Sequence, residues 1–501
     1  MEDILGLLEK LSDELMDDGS PVSIVLAAGH GKRIKSEKPK MLHEIWGVPT
    51  VIRVSEAARK GLNSGNQIIV VGMKADQVAM TVGKKRNLAY AYQAKQRGTG
   101  DAVKVALEIL QSLRNIEDVY IFPGDMGLIT SDVVSDFRES FEKSGADMMI
   151  LTGYFKGNPE NNMYGRIVRI PERDISGKVT REYCGQVLAI KEQKDILAMR
   201  DDEMCEMSYN GMKFRFSKEF LLNLKEFNTG VYAIKYKFLK EAIEEISPDN
   251  VQGEYYLTDL ISIFNRKGLK VNAEHAKDDS TIIGFNVKSV LKEMENIYRE
   301  KVWQRLCDII VIEDRYDFYI ADEVVNEIIE MDKNFGPLDI YIGKGVYISK
   351  GVKLNKGVAL KSGAYLNGNI EIGEGTVIEE NVSISTYPHQ TLKIGKNCVI
   401  MRGDIIKGNL VIGNNSRIES GVNITGSDEF PVRIGNNVII KGTSYIFGSI
   451  IEDDLFIEHS VLKCKLVERT VRKDGSIQPV RWVMPQPQGL DVIKDIEKNS
   501  A

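Results

Sequence analysis

Residues 342–360 read IGKGVYISKGVKLNKGVAL, and an aliphatic residue stands at every sixth position of this stretch. The spacing extends well beyond it and collects seventeen residues: Ile342, Ile348, Leu354, Leu360, Leu366, Ile372, Ile378, Ile384, Ile394, Ile400, Ile406, Ile412, Ile418, Ile424, Ile434, Ile440 and Ile446. A period of six is neither helical nor that of a heptad repeat. It predicts a triangular coil in which each side is a short strand and each turn stacks its aliphatic side chains on the next.

The phase of this repeat slips twice, at residues 385–393 and 425–431, and we predict that both segments are loops leaving the coil. The pattern resembles the hexapeptide left-handed β-helix over about residues 340–465. An ordinary β-sandwich is the alternative, but it gives no reason for so long a ladder in one phase.

Upstream of the repeat, short apolar runs alternate with amphipathic segments. The runs lie at residues 23–28 (SIVLAA), 67–72 (QIIVVG), 118–122 (DVYIF) and 146–152 (ADMMILT), and the helices at about 51–62 and 102–113. Such alternation predicts an α/β fold with a mostly parallel sheet covered by helices on both faces. Ligands of such sheets bind at the carboxyl ends of the strands.

Composition narrows the class of protein. The chain has 501 residues, 43% of them hydrophobic, and a formal charge of −6, which argues against disorder and against nucleic-acid binding. Five scattered cysteines predict reduced thiols and a cytoplasmic location. The first 20 residues lack the pattern of a signal peptide, and no apolar stretch is long enough to predict a membrane span.

A glycine-rich, basic loop follows the first apolar run. Residues 26–40 read LAAGHGKRIKSEKPK, in which Gly29 and Gly31 allow a phosphate to approach the backbone closely. Lys32, Arg33, Lys35, Lys38 and Lys40 supply five positive charges within nine residues. The third glycine of a dinucleotide-binding fingerprint is missing. A phosphate-binding loop and a solvated basic surface both remain open from these residues alone.

This loop resembles the signature of the sugar-phosphate nucleotidyltransferases, and further runs are similar to the N-acetylglucosamine-1-phosphate uridyltransferase branch. In chain order these runs are QAKQRGTG (93–100), GD (124–125), YGRI (164–167), AIKEQKD (189–195), NTG (228–230), QGEYYLTD (252–259) and GFN (284–286). The resemblance covers about residues 21–290, and that branch also carries a hexapeptide coil.

The resemblance implies a role for each matched residue. Arg33, Lys40 and Asp125 would be catalytic, with Asp125 and Asn286 holding Mg²⁺ as the cofactor. Nucleotide binding is implied for Leu26, Ala27, Ala28, Gly29, Gln93, Gly98, Thr99 and Gly124, and sugar binding for Gly165, Glu192, Asn228, Tyr256 and Thr258. Uridylyl transfer needs positioning and charge neutralisation rather than a general base, because the attacking phosphate is already anionic.

The resemblance also implies a division of the chain and a set of partners. We expect a helical extension at 1–20, a Rossmann-like nucleotidyltransferase domain at 21–286, a linker helix and connection at 287–335, a left-handed β-helix at 336–466 and a tail at 467–501. The substrates would be UTP and a sugar-1-phosphate, with no nucleic acid and no membrane. Coils of this kind commonly assemble as trimers.

Several departures from the family pattern leave alternatives open. Lys32 replaces the usual Thr or Ser, Pro123 replaces a Tyr near the sugar, and the segment between Glu192 and Asn228 is longer than in the bacterial bifunctional enzymes. Of the coil's two histidines, neither His389 nor His459 lies in a run like the relatives' acetyltransferase site. The expected function is UDP-N-acetylglucosamine synthesis alone. The alternatives are another sugar or nucleotide, a bifunctional enzyme, and a non-catalytic assembly subunit.

Overall fold

The computed structural model describes residues 2–29, 31–159, 162–477 and 480–481. The chain forms two compact units, residues 1–295 and 296–501. Most of the predicted tail lies outside the described residues. Within the described part of the chain, no helix has the length and apolar character needed to cross a membrane.

A nine-stranded sheet forms the centre of the first unit. Its main path runs β13-β7-β12-β6-β1-β4-β5, with β8 and β9 attached beside β12. The strands of this unit are β1 (Val22–Leu26), β2 (Glu44–Ile45), β3 (Val48–Pro49), β4 (Gln67–Val71), β5 (Leu88–Tyr92), β6 (Asp118–Pro123), β7 (Met148–Tyr154), β8 (Arg166–Arg169), β9 (Val187–Lys191), β10 (Met204–Tyr209), β11 (Met212–Ser217), β12 (Glu226–Lys235) and β13 (Val271–His275). The neighbours β6, β1, β4 and β5 are parallel, whereas β12 runs antiparallel to β6 and β7.

Helices cover both faces of this sheet, as the alternation in the sequence predicted. The helices up to the end of this unit are α1 (Glu2–Leu11), α2 (Thr50–Gly61), α3 (Ala75–Val82), α4 (Thr99–Leu110), α5 (Ser131–Ser144), α6 (Gln193–Ala198), α7 (Lys218–Asn223), α8 (Tyr236–Ala242) and α9 (Asp259–Arg266), and α10 (Lys288–Leu306) continues into the second unit. Successive side chains of β1 enter two different hydrophobic cores, one on each face of the sheet. Val25 packs with α2, α3 and α5, while Ile24 packs with α4, α8 and α9. This alternation is the period of two that a strand buried on both faces requires.

Helix α1 and the residues up to Asp13 pack along the edge of the sheet at β5. The backbone N–H of Asp13 donates to the Leu88 carbonyl at 2.7 Å, and the Ser12 hydroxyl accepts from the Tyr90 N–H at 3.0 Å. Leu8 of α1 is buried in the core. The extension therefore covers a strand edge that would otherwise expose unpaired backbone groups.

The long segment between Glu192 and Asn228 forms a small lobe. Its hairpin, β10–β11, and helix α7 build a core of their own against β8 and β9 around Phe214, Phe216 and Leu221. The extra length is thus folded, and its hairpin forms a sheet separate from the central one.

The second unit contains a three-faced coil of short parallel strands, in agreement with the predicted left-handed β-helix. The first face comprises Val311–Ile312, Tyr341–Ile342, Ala359–Leu360, Val377–Ile378, Val399–Ile400, Arg417–Ile418, Ile439–Ile440, Phe456–Glu458 and Val480–Arg481. The second comprises Phe318–Ile320, Val346–Ile348, Tyr365–Asn367, Ser383–Ser385, Ile405–Gly408, Asn423–Gly426, Tyr445–Phe447 and Val461–Lys463. The third comprises Val352–Leu354, Ile370–Ile372, Leu392–Ile394, Leu410–Ile412, Val432–Ile434, Ile450–Ile451 and Leu466–Val467.

The ladder of aliphatic residues forms the interior of this coil. All seventeen predicted members are buried, and none is more than 7% exposed. The two phase slips coincide with connections that leave the coil, at residues 386–391 and 427–431. The coil's first strands lie within residues 287–335, the segment expected to be a linker, and helix α11 (Asp322–Phe335) separates them from the next turn.

Candidate active site

The candidate site lies where the strand order of the sheet reverses. From β1 the chain proceeds outward through β4 and β5, then returns to the other side of β1 as β6. The segments after β1 and β6 therefore meet: the Gly124 N–H donates to the Leu26 carbonyl at 3.0 Å. A Cβ at Gly124 would lie 2.9 Å from that oxygen, so only glycine allows this approach. Such a reversal opens a crevice at the carboxyl ends of the strands.

The basic loop folds back over this crevice. Ala27 and Ala28 are buried, and the Ala27 N–H donates to the Val70 carbonyl at 2.8 Å. Gly31 has a left-handed backbone with φ +62°, and a Cβ there would lie 2.8 Å from Cβ of Lys40. The glycine thus lets Lys40 pack against the loop, whose Gly29 is exposed at the mouth of the crevice.

Lys40 contacts two residues that lie far from it in the sequence of the first unit. Its ammonium donates to Asp125 Oδ2 at 2.5 Å and to Asn286 Oδ1 at 2.8 Å, and it lies 5.5 Å from the centre of the Phe285 ring. The side chains of Lys40 and Asp125 are only 9% and 14% exposed. These three predicted residues therefore form one cluster, in which water screens the charges weakly.

The oxygen atoms around this ammonium fit a magnesium ion. A carboxylate and an amide oxygen converge on one cation, and Mg²⁺ is commonly held by one or two protein oxygens with water completing its shell. Gly284 allows the carboxylate its position, because a Cβ there would lie 3.1 Å from Asp125 Oδ1. No cluster of three or more His, Cys, Asp or Glu suited to a metal occurs among the described residues.

Tyr164 is a member of the site that the sequence analysis did not single out. Its hydroxyl donates to the Gly284 carbonyl at 3.2 Å, and its ring stacks on Phe227 with centroids 4.5 Å apart. Burial and the nearby Asp125 carboxylate raise the pKa of Tyr164 to about 12. The tyrosine thus remains protonated and braces the segment that carries Asn286. Its place directly before Gly165 in a matched run was the available signal.

Three of the predicted nucleotide-binding residues, Gln93, Gly98 and Thr99, lie just after β5. Gln93 is 3% exposed, and its Nε2 donates to the Gly98 carbonyl at 3.1 Å. Gly98 has φ +118°, and a Cβ there would lie 2.4 Å from the Tyr255 carbonyl oxygen. The Thr99 hydroxyl accepts from the Leu257 N–H at 3.1 Å, so the loop is tied to the segment before α9.

The predicted sugar-binding residues Gly165, Glu192 and Asn228 are also brought together. The Asn228 N–H donates to the Gly165 carbonyl at 2.9 Å, and a Cβ at Gly165 would lie 3.1 Å from Glu192 Oε1. Asn228 Nδ2 donates to the buried Tyr232 hydroxyl at 2.8 Å. Gly230, two residues on, has φ +82° and packs against Pro123, where a Cβ would lie 2.9 Å from Cγ.

Several carboxyl groups lie close together beside these predicted sugar-binding residues. Burial, together with the nearby Asp195 and Asp259, raises the pKa of Glu192 to about 7. Burial likewise raises the pKa of Asp259 to about 6. Tyr256 is buried and its hydroxyl pairs with the Gln252 amide, while the buried Thr258 precedes α9. At neutral pH this end of the site therefore holds a carboxyl close to its titration midpoint.

The structure shows no contact between Arg33 and the other predicted site residues it describes. It is exposed, and within the described residues its side chain makes no hydrogen bond or ion pair. Its neighbour on the loop, Lys40, makes all the contacts to Asp125 and Asn286 described above. A contact between Arg33 and phosphate stays a prediction.

Comparisons with known proteins agree with this geometry. Residues 23–165 match the MobA-like NTP transferase domain family. The chain is 36% identical over 304 residues to the bifunctional protein GlmU of Acetivibrio thermocellus, covering 60% of this chain and 57% of that protein. It is 34% identical over 325 residues to bifunctional GlmU of Clostridium tetani, covering 65% and 62% of the two chains. The matches thus span about three fifths of these relatives.

Among solved structures, UDP-glucose pyrophosphorylase complexed with UDP-glucose aligns with 56% of this chain and 99% of its own, at 15% identity and a TM-score of 0.41. By sequence, residues 23–165 match the MobA-like NTP transferase domain family, and the chain is similar to the bifunctional GlmU proteins over more than half of its length.

Proposed function

We propose that the protein transfers UMP from UTP to N-acetylglucosamine-1-phosphate, giving UDP-N-acetylglucosamine and pyrophosphate. One observation carries this proposal: the Lys40 ammonium joins Asp125 and Asn286 beside a glycine-rich loop at the reversal of the sheet. Similarity to GlmU proteins over 304 residues supports the same substrates. A non-catalytic subunit would have no need of this charged cluster.

The proposed chemistry follows from the charges. A sugar-phosphate oxygen attacks the α-phosphorus of UTP, the bond from that phosphorus to the bridging oxygen breaks, and pyrophosphate leaves. Lys40 would neutralise phosphate charge in a poorly hydrated place, while the backbone N–H groups of the loop at Gly29 approach the same phosphates. Asp125 and Asn286 would hold Mg²⁺, which when bound supplies further charge neutralisation.

Sugar selection would fall to the group around Asn228. Its backbone and that of Gly165 are linked, and the Glu192 carboxyl lies beside them, so hydroxyls of a pyranose could meet fixed donors and acceptors there. Pro123 narrows the same region by packing on Gly230. Another hexose-1-phosphate is therefore the second candidate.

Pyrophosphate release with a panel of sugar-1-phosphates and with UTP, dTTP and GTP tests this proposal. We expect N-acetylglucosamine-1-phosphate with UTP to give the highest kcat/KM. Turnover with another sugar alone would transfer the proposal to that sugar. No release with any pair, from protein that melts cooperatively, would contradict it.

For the coil, we propose assembly rather than acetyl transfer. His389 lies 66% exposed on one connection and contacts Asp428 on the other at 2.8 Å, while His459 Nδ1 contacts Thr443 and the Gly442 carbonyl at 2.9 Å. Neither histidine lies in a run like the relatives' acetyltransferase site. CoA release from glucosamine-1-phosphate and acetyl-CoA, abolished by His389→Ala or His459→Ala, would instead establish a bifunctional enzyme.

The second face of the coil supports a trimeric assembly. Tyr319, Tyr347 and Tyr365 stack outward with successive centroids 4.6 and 4.8 Å apart, and Tyr365 is 40% exposed. Light scattering on the purified chain tests the trimer directly. A cytoplasmic location is also proposed, supported by five cysteines that are all free thiols.

A further inference from the structure

A fixed set of hydrogen bonds orients the side-chain amide of Gln93. Its Nε2 donates to Asp101 Oδ2 at 2.8 Å and to the Gly98 carbonyl at 3.1 Å. A carboxylate and a carbonyl can only accept, so the NH₂ end of the amide must face them. Within the described part of the chain no group donates to Gln93 Oε1. The side-chain oxygen Oε1 is therefore the end of the Gln93 amide that remains available to accept a hydrogen bond from a ligand.

Asp101 is itself held in place by Arg97. Asp101 lies in the first turn of α4 and is 5% exposed. Its Oδ1 accepts from Arg97 Nη2 at 2.6 Å and from Nε at 3.1 Å, which leaves Oδ2 for Gln93. The guanidinium also lies 5.6 Å from the centre of the Tyr255 ring, and the Tyr255 N–H donates to the Arg97 carbonyl at 2.7 Å. This bracing fixes which carboxylate oxygen meets the amide.

We propose that Asp101, braced by Arg97, is a positioning residue that selects the base of the nucleotide through Gln93. A carbonyl oxygen accepts the N3–H of uracil, whereas N3 of cytosine is itself an acceptor and would face that oxygen with no proton between them. A site that leaves a buried polar group unpaired can discriminate by up to ~10⁴-fold. This inference rests on the proposed function, because it assigns the base end of the same site.

Substitution of Asp101 by Asn should release this fixed orientation. The new amide has one oxygen, which the Arg97 guanidinium attracts, so its NH₂ would face Gln93 and favour a flipped amide, whereas the Gly98 carbonyl still favours the native one. Gln93 would then present donors to the base in part of the molecules. Asp101→Glu keeps two acceptor oxygens. Glu108→Gln makes the same change of charge on the exposed side of α4 and serves as the matched control.

The experiment compares kcat/KM for UTP and CTP with N-acetylglucosamine-1-phosphate, measured by pyrophosphate release. We expect Asp101→Asn to lower the UTP-to-CTP ratio at least tenfold. Asp101→Glu should retain most of the ratio, and Glu108→Gln all of it. A loss of melting temperature in Asp101→Asn with a ratio within threefold of the wild type would show a merely structural role and overturn the inference.

Two further measurements keep the test decisive. Should Asp101→Asn fail to fold, Arg97→Met removes the brace and keeps the carboxylate, and an unchanged ratio in that variant overturns the inference. Should the wild type make no UDP-sugar, the proposed function fails, but calorimetric affinities for UTP and CTP still report the ratio. Loss of uracil preference in Asp101→Asn by calorimetry would then support the inference independently.

Discussion

Replacing Lys40 by Met should abolish most of the activity while preserving the fold. The Lys40 side chain is 9% exposed, and methionine fills similar space but removes the ammonium that is bonded to both Asp125 and Asn286. Loss of one preorganised, charge-stabilising donor typically costs ~10²–10³-fold in turnover, or about 2.7–4 kcal/mol of transition-state stabilisation. We expect kcat/KM for UTP to fall at least ~10²-fold by pyrophosphate release.

A second measurement distinguishes the loss of the Lys40 charge from a change in side-chain packing. Without the ammonium, Asp125 keeps an uncompensated charge in a poorly hydrated place, so Mg²⁺ should raise the melting temperature of Lys40→Met more than that of the wild type. Lys38→Met is the matched control, because Lys38 pairs at 2.7 Å with Glu44 and both side chains are over 40% exposed. Activity of Lys40→Met within threefold of the wild type would refute the role of Lys40.

Three other substitutions test separate parts of the molecule. Asp125→Asn should lower turnover by orders of magnitude at saturating Mg²⁺ while leaving the fold intact, and near-normal rates would remove Asp125 from the site. With wild-type protein, kcat/KM for the sugar-1-phosphate should rise with pH through about 7, where Glu192 ionises and becomes a better acceptor, and Glu192→Gln should flatten that rise. Burial raises the pKa of Asp404 in the coil to about 7, so the folded state keeps a proton that the unfolded chain releases near the ordinary aspartate pKa of 3.8. Stability should therefore fall as pH rises between these values, and Asp404→Asn should raise the melting temperature at pH 8 but not at pH 4.

The parts of the fold that repeat locally could be predicted from the sequence. The ladder from Ile342 to Ile446 is visible because each member lies six residues from the next, and the same spacing decides which side chains enter the coil. The coil's start at Val311 could not be found in this way, because α11 interrupts the spacing before the first turn is complete.

The same distinction, between features visible in a local pattern and features that are not, applies to the candidate site. The glycines of the basic loop are recognisable because their function depends on the local backbone. The pairing of Lys40 with Asn286 joins residues 246 positions apart, and no local pattern indicates it; only the resemblance to a family placed both in one site. Asp101 was missed because an acidic residue in the first turn of a helix is ordinary, and its role depends on which amide lies beside it.

The reversal of strand order explains why the candidate site can be tested one part at a time. Lys40 and Asp125 follow β1 and β6, Gln93 follows β5, and Glu192 follows β9, so each group is held by a different strand. Substitutions that share no partner affect free energies independently when the sites are well separated. A defect in phosphate binding should therefore appear in turnover, a defect around Asp101 in the choice of base, and a defect at Glu192 in the pH dependence for the sugar. If one substitution altered all three properties together, the strands would not be holding these groups independently, and the assignment of separate roles would be wrong.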